Sequence, residues 1–243
     1  YAELREQLAV TIDPITDDDD EIIDLDIGEG SLTVENEEET KSGKFYDPVK
    51  RRHHLVVLPK TSVGLERLFG LVSRGYTEGF YRFPRVDYKM LKEHGEGLVV
   101  STACVGGLAS GLIYRQFGGM MFDELHPDLM NNPSDYNPIM SRLENMTDRF
   151  VDCVGPDNFF LEMQFNDLPA QHLTNRCLLE LSKKTNIPLI ATADSHFPDP
   201  QKWQARELYK KLGWMGAKLD QSMLPKEEDL KCMLYPKNAT QMW

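Results

Sequence analysis

Three short apolar runs in this chain begin or end on side chains that can hold a metal ion. His53-His54 stands directly before Leu55–Leu58. Ser101-Thr102-Ala103-Cys104 closes the run Leu98–Val100 and leads into Gly106-Gly107. Thr192-Ala193-Asp194-Ser195-His196 closes Pro188–Thr192. Asp194 and His196 are two apart, so at an extended strand end their side chains share a face and can grip one ion or two neighbouring ions. A set made of a histidine from His53-His54 with Cys104, Asp194 and His196 suits zinc or another divalent transition metal. Such an ion activates a water and clamps a phosphate. Each residue alone is a weak signal, because a lone cysteine at a strand end is usually a small buried hydrophobe. The reading rests on their falling together at one end of successive strands.

Two further groups of residues bear on chemistry. Glu162 and Gln164 alternate with apolar neighbours in Phe160-Leu161-Glu162-Met163-Gln164, which leaves one face of that strand polar. In a strand buried on both sides this needs a reason: a polar interior beside a site, or a solvent-facing edge. Basic and aromatic residues interleave from Arg74 through Tyr76, Phe80, Tyr81, Arg82 and Phe83 to Arg85. Arginines neutralise phosphates and aromatic faces stack bases, so this is a weak candidate for nucleic-acid contact. A helix C-terminus with Arg74 near the dipole and Gly79 as cap is the competing explanation. His94, His126 and His172 stand in polar contexts and read as solvated, while Cys153, Cys177 and Cys232 read as core.

Positioning the first set requires strands whose ends converge. The apolar runs Leu55–Leu58, Leu98–Val100, Phe159–Phe165 and Pro188–Thr192 are short, flanked by turn residues, and read as buried strands. Helical periodicity fills Ser62–Gly79, Arg142–Cys153, Ala170–Thr185 and Pro200–Leu212. In the third of these Leu173, Cys177, Leu178 and Leu181 recur on one face. Asp199-Pro200 is a helix opening with a capping carboxylate and proline in the first turn. The alternation predicts an α/β fold, a parallel sheet or barrel with helices outside, whose functional groups collect at the strand C-termini. Residues 118–138, rich in Gly, Pro, Asn and Asp, read as a long loop.

Charge divides the chain. It has 243 residues and a formal net charge of −12, and residues 1–50 hold 16 acidic against 4 basic side chains. The remaining 23 acidic and 23 basic side chains of residues 51–243 cancel. Residues 1–50 therefore read as an acidic insertion or linker, partly disordered, and 51–243 as the domain segment. Within the acidic part, residues 1–12 fit a short helix or strand, and Ile22 to Ile27 allow another short strand. No apolar run approaches the length needed to span a membrane, and no secretory h-region opens the chain. Four cysteines without a CxxC pair point to a reducing, cytoplasmic setting. The start at Tyr1 and the stop at Trp243 suggest a piece of something longer.

The motifs carry a resemblance. His54-Leu55-Val56-Val57-Leu58-Pro59-Lys60, Glu78-Gly79-Phe80-Tyr81, Gly97 to Gly107, Asn158 to Gln164, and Ile187 to His196 occur in the order found in the PHP (polymerase and histidinol phosphatase) domain of the bacterial replicative DNA polymerase III alpha subunit. The chain resembles the later two-thirds of that domain over residues 51–243. The resemblance implies a distorted seven-stranded (βα)7 barrel with a trinuclear metal site at the strand C-termini. In members with an intact site it implies phosphoester hydrolysis, including 3′–5′ exonuclease proofreading. It matches His54 to the family's histidine ahead of its first strand here, Cys104 to its Ser-Ala-Cys motif, and Asp194 and His196 to its closing Asp-x-His. Asp194 and His196 then act in catalysis as well as in metal binding. Divalent ions (Zn, Mn or Mg) are implied as cofactors, with DNA and the remainder of the polymerase as partners and no membrane.

The departures are as informative. The family's opening His-x-His, its Asp-His and the Glu of its third motif have no counterpart in this chain, nor does the polymerase palm. The expectation is therefore a partial metal site, to be completed by an adjacent chain, a split gene product or residues not included. It also suggests a phage-encoded or otherwise atypical homologue. The acidic stretch takes the place of a short connection ahead of the His54 strand. A domain that has lost hydrolysis and buttresses the polymerase is an alternative. A free-standing PHP phosphatase is a third, which the Glu78–Tyr81 and Ser101–Gly107 motifs disfavour.

Overall fold

The four apolar runs form the centre of the molecule. The structure is a computed structural model, and it describes residues 9–12, 23–26, 53–80, 83–118, 120, 124–206, 209 and 234–242. The strands are β1 (Ala9–Ile12), β2 (Ile23–Asp26), β3 (Val56–Pro59), β4 (Leu98–Ser101), β5 (Phe159–Gln164) and β6 (Leu189–Thr192). They form one sheet in the order β2-β1-β3-β4-β5-β6. The helices are α1 (Ser62–Thr77), α2 (Tyr88–His94), α3 (Leu108–Gln116), α4 (Pro133–Val154), α5 (Pro169–Thr185) and α6 (Ala239–Met242). The fold is mixed α/β, as expected.

The expected parallel sheet holds for β4–β5 and β5–β6 but not for β3, which pairs antiparallel with β4 from Val56↔Ser101 to Pro59↔Leu98. Helix α2, which periodicity did not reveal, is the reason. One crossover helix reverses the chain once and returns the next strand parallel. Here two helices, α1 and α2, lie between β3 and β4, and the second reversal delivers β4 in the opposite sense. The consequence is functional. The start of β3, where His53 and His54 stand, lies at the C-terminal end of β4.

Register assigns the faces. Val57, Val100, Phe159, Leu161 and Leu189 are paired across the sheet and share one face. The first four of these are fully buried. Helix α4 lays Ile139, Leu143, Met146 and Phe150 toward the core at three- and four-residue spacing. The Phe150 and Phe159 rings stack with centroids 4.9 Å apart. The other face carries Ser101, Phe160, Glu162, Gln164 and Thr192.

The predicted loop at 118–138 is corrected in its second half. Pro127–Asn131 is a 3-10 helix and α4 opens at Pro133. The Asn132 side chain accepts the Ser134 N–H at 3.2 Å, so Asn-Pro-Ser-Asp is an N-cap with proline in the first turn rather than a break. The same logic opens α2, where the Asp87 carboxylate accepts the Met90 N–H at 2.6 Å. The expected helix after Asp199 starts as a 3-10 turn, Pro200–Lys202, with Asp199 capping Gln201. It continues as helix over 203–206, and residues 207, 208 and 210–212 of the predicted span lie outside the described residues.

Close approach of α1 to the turn before β4 depends on Gly64. A methyl group there would fall 2.0 Å from the Gly97 carbonyl oxygen, and Gly97 itself sits at φ 71°. Gly64→Ala is expected to lower stability by about 1–3 kcal/mol through backbone displacement. Urea unfolding checks this, and an unchanged midpoint contradicts it.

Candidate metal centre

His53 and His54 are neighbours in extended backbone, so their side chains point to opposite sides. His53 is 3% exposed. Its ring packs on α3 at Gly111, where any Cβ would come within 2.3 Å of the imidazole. His53 is therefore a packing residue. His54 is half-buried and faces the loop after β4. Its N–H donates to the Gly106 carbonyl at 2.9 Å, and it forms a parallel bridge with Gly107.

That loop is fixed by its own backbone. Ala103 takes the left-handed conformation at φ 57°. The Gly107 N–H and the Ser110 hydroxyl both donate to the Cys104 carbonyl, at 2.8 and 3.0 Å. The Cys104 thiol sulfur accepts the Gly106 N–H at 3.4 Å and stands 3.5 Å from His54 Nδ1. Gly106 gives the ring room, because a Cβ there would meet Nδ1 at 3.1 Å.

This spacing tests whether a metal suits the pair. A tetrahedral zinc with ordinary Zn–S and Zn–N bonds separates a sulfur and a nitrogen ligand by about 3.5 Å. The Cys104–His54 distance of 3.5 Å matches that edge, and it equally suits a hydrogen bond between thiol and imidazole. The pair fits two vertices of a zinc-type site. Among the described residues no group of three His, Cys, Asp or Glu side chains gathers to hold an ion. The structure thus brings His54 and Cys104 together and does not bring Asp194 or His196 into one set with them.

Asp194 and His196 follow β6, whose C-terminus lies at the same end of the sheet as that of β4, because β4, β5 and β6 are mutually parallel. Asp194 is left-handed at φ 46°. His196 Nδ1 lies 2.8 Å from the Asp194 carbonyl oxygen. The backbone N–H groups of His196 and Phe197 donate to the Leu234 carbonyl at 2.8 and 3.1 Å, so the C-terminal segment secures this loop.

Glu162 and Gln164 are 4% and 2% exposed on an interior strand. The solvent-facing edge is therefore excluded. Glu162 accepts hydrogen bonds from the hydroxyls of Ser101 and Thr192 and from the Gln164 amide. Its N–H donates to Thr102 Oγ1 at 2.8 Å. Asn175 of α5 donates to the Gln164 carbonyl at 2.7 Å and accepts from Gln171 at 2.9 Å. Sequence reasoning missed Ser101, Thr192 and Asn175. The available signal for the first two was a strand-terminal hydroxyl two residues ahead of Ala103 and of Asp194.

Of the basic residues, Arg74 in the last turn of α1 pairs with Glu78 at 2.8 Å and with Glu93. Its hydrogen bonds to Glu78 and Glu93 raise its pKa above the ordinary value and lower theirs. Arg85 donates to the Gly79 carbonyl at 3.1 Å. Arg82 lies outside the described residues. Helix α1 ends at a Glu78 cap, one residue before the expected Gly79. His94 is half-buried rather than solvated, with Nδ1 2.9 Å from the Met90 carbonyl oxygen.

Cys153 and Cys177 are core, as expected, and Cys232 lies outside the described residues. Desolvation pushes both buried thiols up to about 12. At neutral pH they should resist alkylation until the protein unfolds, while half-buried Cys104 reacts in the native state. Peptide mass mapping after iodoacetamide treatment checks this. Labelling of Cys177 at the rate of Cys104 contradicts it.

Residues 10–166 match the PHP domain family. The chain belongs to that family. It is 34% identical over 67% of its length to the DNA polymerase III subunit alpha of Aquifex aeolicus, 31% over 77% to that of Borreliella burgdorferi, and 29% over 74% to that of Thermus aquaticus. It spans only 12%, 15% and 13% of those proteins. The family match takes in the acidic segment as well as β3, β4 and β5. Among the described residues no helix is long and apolar enough to cross a membrane.

Proposed function

We propose that the chain is the PHP-domain portion of a DNA polymerase III alpha-like replicative polymerase, and that it supports metal-dependent 3′–5′ hydrolysis of DNA. The observation that carries this is the His54–Cys104 pair, set at a zinc-site edge of 3.5 Å at the sheet end where Asp194-x-His196 also emerges. In this reading the sheet is part of a distorted (βα)7 barrel whose interior is the polar face bearing Glu162 and Gln164. The acidic stretch is an insertion in the connections that lead into β3. Divalent zinc, manganese or magnesium, when bound, would activate water and offset charge on the leaving oxygen of a phosphodiester. His54 and Cys104 would hold one ion and Asp194 and His196 a neighbouring one. Sulfur favours zinc at the first position, and carboxylate with imidazole admits manganese or zinc at the second. Arg74, Arg82 and Arg85 are the weaker candidates for DNA contact; Arg74 would first have to leave Glu78 and Glu93. The rest of the polymerase is the partner, in the reducing cytoplasm of a bacterium or a phage-infected cell.

A second reading, a catalytically silent domain that buttresses the polymerase, is favoured by the gathering of only two donors among the described residues. Exonuclease assay of the polymerase on a 3′-labelled primer separates the two. Metal-dependent release of nucleotides that is lost in His54→Ala supports the hydrolytic reading. Equal release by wild type and variant, or none by either, supports the silent one.

A further inference from the structure

Each loop that carries a candidate ligand leaves its strand in the same way. β4 ends at Ser101 and is followed by left-handed Ala103 and then Cys104; β6 ends at Thr192 and is followed by left-handed Asp194 and then His196. In both cases the left-handed residue comes two positions after a hydroxyl. Both hydroxyls donate to one buried carboxyl group, that of Glu162 on the strand between them, Ser101 to Oε2 and Thr192 to Oε1. Two more bonds hold β4 to β5 at this level: Thr102 N–H to the Phe160 carbonyl at 3.2 Å and Glu162 N–H to Thr102 Oγ1 at 2.8 Å. Burying a carboxyl group is costly unless its oxygens are satisfied, and here strand-end hydroxyls from both neighbouring strands satisfy them.

We infer that Glu162 is a positioning residue, a clamp that sets the exit of the Cys104 loop through Ser101 and of the Asp194–His196 loop through Thr192. The inference rests on the metal-site reading above and adds to it the group that holds the two halves in register. The hydrogen bonds of Glu162 run to Ser101, Thr192, Thr102 and Gln164, so its effect passes through the strand ends. Left-handed non-glycine residues cost free energy and persist where their surroundings over-determine them. The hydroxyl–carboxyl bonds two residues earlier supply such a constraint on each side. Groups of this kind, one step removed from the ligands, typically change metal affinity by about 10–100-fold when removed.

The test compares wild-type full chain with Glu162→Ala, Glu162→Gln, Ser101→Ala and Thr192→Val. Urea unfolding first ranks their stability. Iodoacetamide alkylation of the metal-free proteins, mapped by mass spectrometry, reports how Cys104 is held. Cobalt(II) titration, followed by the thiolate-to-cobalt charge-transfer band, reports binding at Cys104. Glu162→Ala should change the Cys104 alkylation rate and weaken cobalt binding by about 10–100-fold. Glu162→Gln keeps one acceptor oxygen and offers its N–H to the other hydroxyl oxygen, so it should recover most of both. Ser101→Ala should alter Cys104 alkylation and Thr192→Val should leave it unchanged, because the latter frees the other loop. If Glu162→Ala fails to fold, the two hydroxyl variants decide. An unchanged Cys104 in Ser101→Ala, or shifts in both hydroxyl variants that merely follow lost stability, overturns the clamp. If wild type shows no cobalt band, the metal-site reading fails, and the alkylation pattern alone upholds or overturns the clamp.

Discussion

Phe150→Ala is expected to cost about 3–5 kcal/mol, a large part of the stability of an ordinary domain. Phe150 is fully buried. Its ring stacks on Phe159 at 4.9 Å and tilts against Tyr88 at 5.1 Å. It joins α4, α2 and β5, so the cavity left by truncation would border three elements at once. In a chain of this size the loss should lower the melting temperature by roughly 10 °C. Phe69→Ala is the control. That ring is 64% exposed on α1, and its removal should change stability by no more than about 0.5 kcal/mol. Calorimetry or urea unfolding of the two variants checks the prediction. Similar small losses in both would mean that α4 does not anchor the sheet as described. Since β5 also carries Glu162, Phe150→Ala should loosen the site as it loosens the core.

If the chain supports the proposed metal-dependent 3′–5′ hydrolysis, Asp194→Asn is expected to abolish it, with a loss greater than about 100-fold, while leaving the fold intact. Removing a group one step outside the ligands costs about 10–100-fold, and removing a ligand charge should exceed that. Asparagine is the informative replacement because of the backbone at this position. Asp194 sits at φ 46°, a region that aspartate and asparagine tolerate and that costs most other residues about 1–2 kcal/mol. Asparagine keeps shape and conformation and removes only the charge. Asp194→Ala should lose activity and, in addition, stability. Activity of Asp194→Asn equal to wild type would remove Asp194 from the chemistry.

The strands and the long helices were legible because their signals are local. The β-branched and apolar runs at Leu55, Leu98, Phe159 and Pro188 each became a strand, and the face of Leu173, Cys177, Leu178 and Leu181 became the buried side of α5. The sense of β3 was not legible, because it depends on the number of helices that follow. Helix α2 has only seven residues and announces itself mainly through Asp87. The start of α4 was hidden for a related reason, since Asn132-Pro133 serves a turn and a helix cap equally well. At the site, position marked His53-His54 and Cys104, the resemblance selected His54, and His54 and Cys104 lie in contact. Yet the parallel arrangement used to place them would have put His54 at the opposite end of its strand. The two residues meet because β3 is reversed. The distinction between His53 and His54 needed the packing of α3, and Gly111 makes it. Ser101 and Thr192 offered no more than a strand-end hydroxyl, because such a group matters here only through the buried carboxyl that it meets across the sheet.

In the proposed function His54 and Cys104 hold a divalent ion. Metal analysis after equilibration with zinc and removal of free ions tests it most directly, on the protein and on Cys104→Ser with His54→Ala. Zinc should be retained by the wild type and lost from the double variant, with the urea midpoint of the metal-free proteins little changed. Zinc absent from the wild type, or retained equally by both proteins, would contradict it.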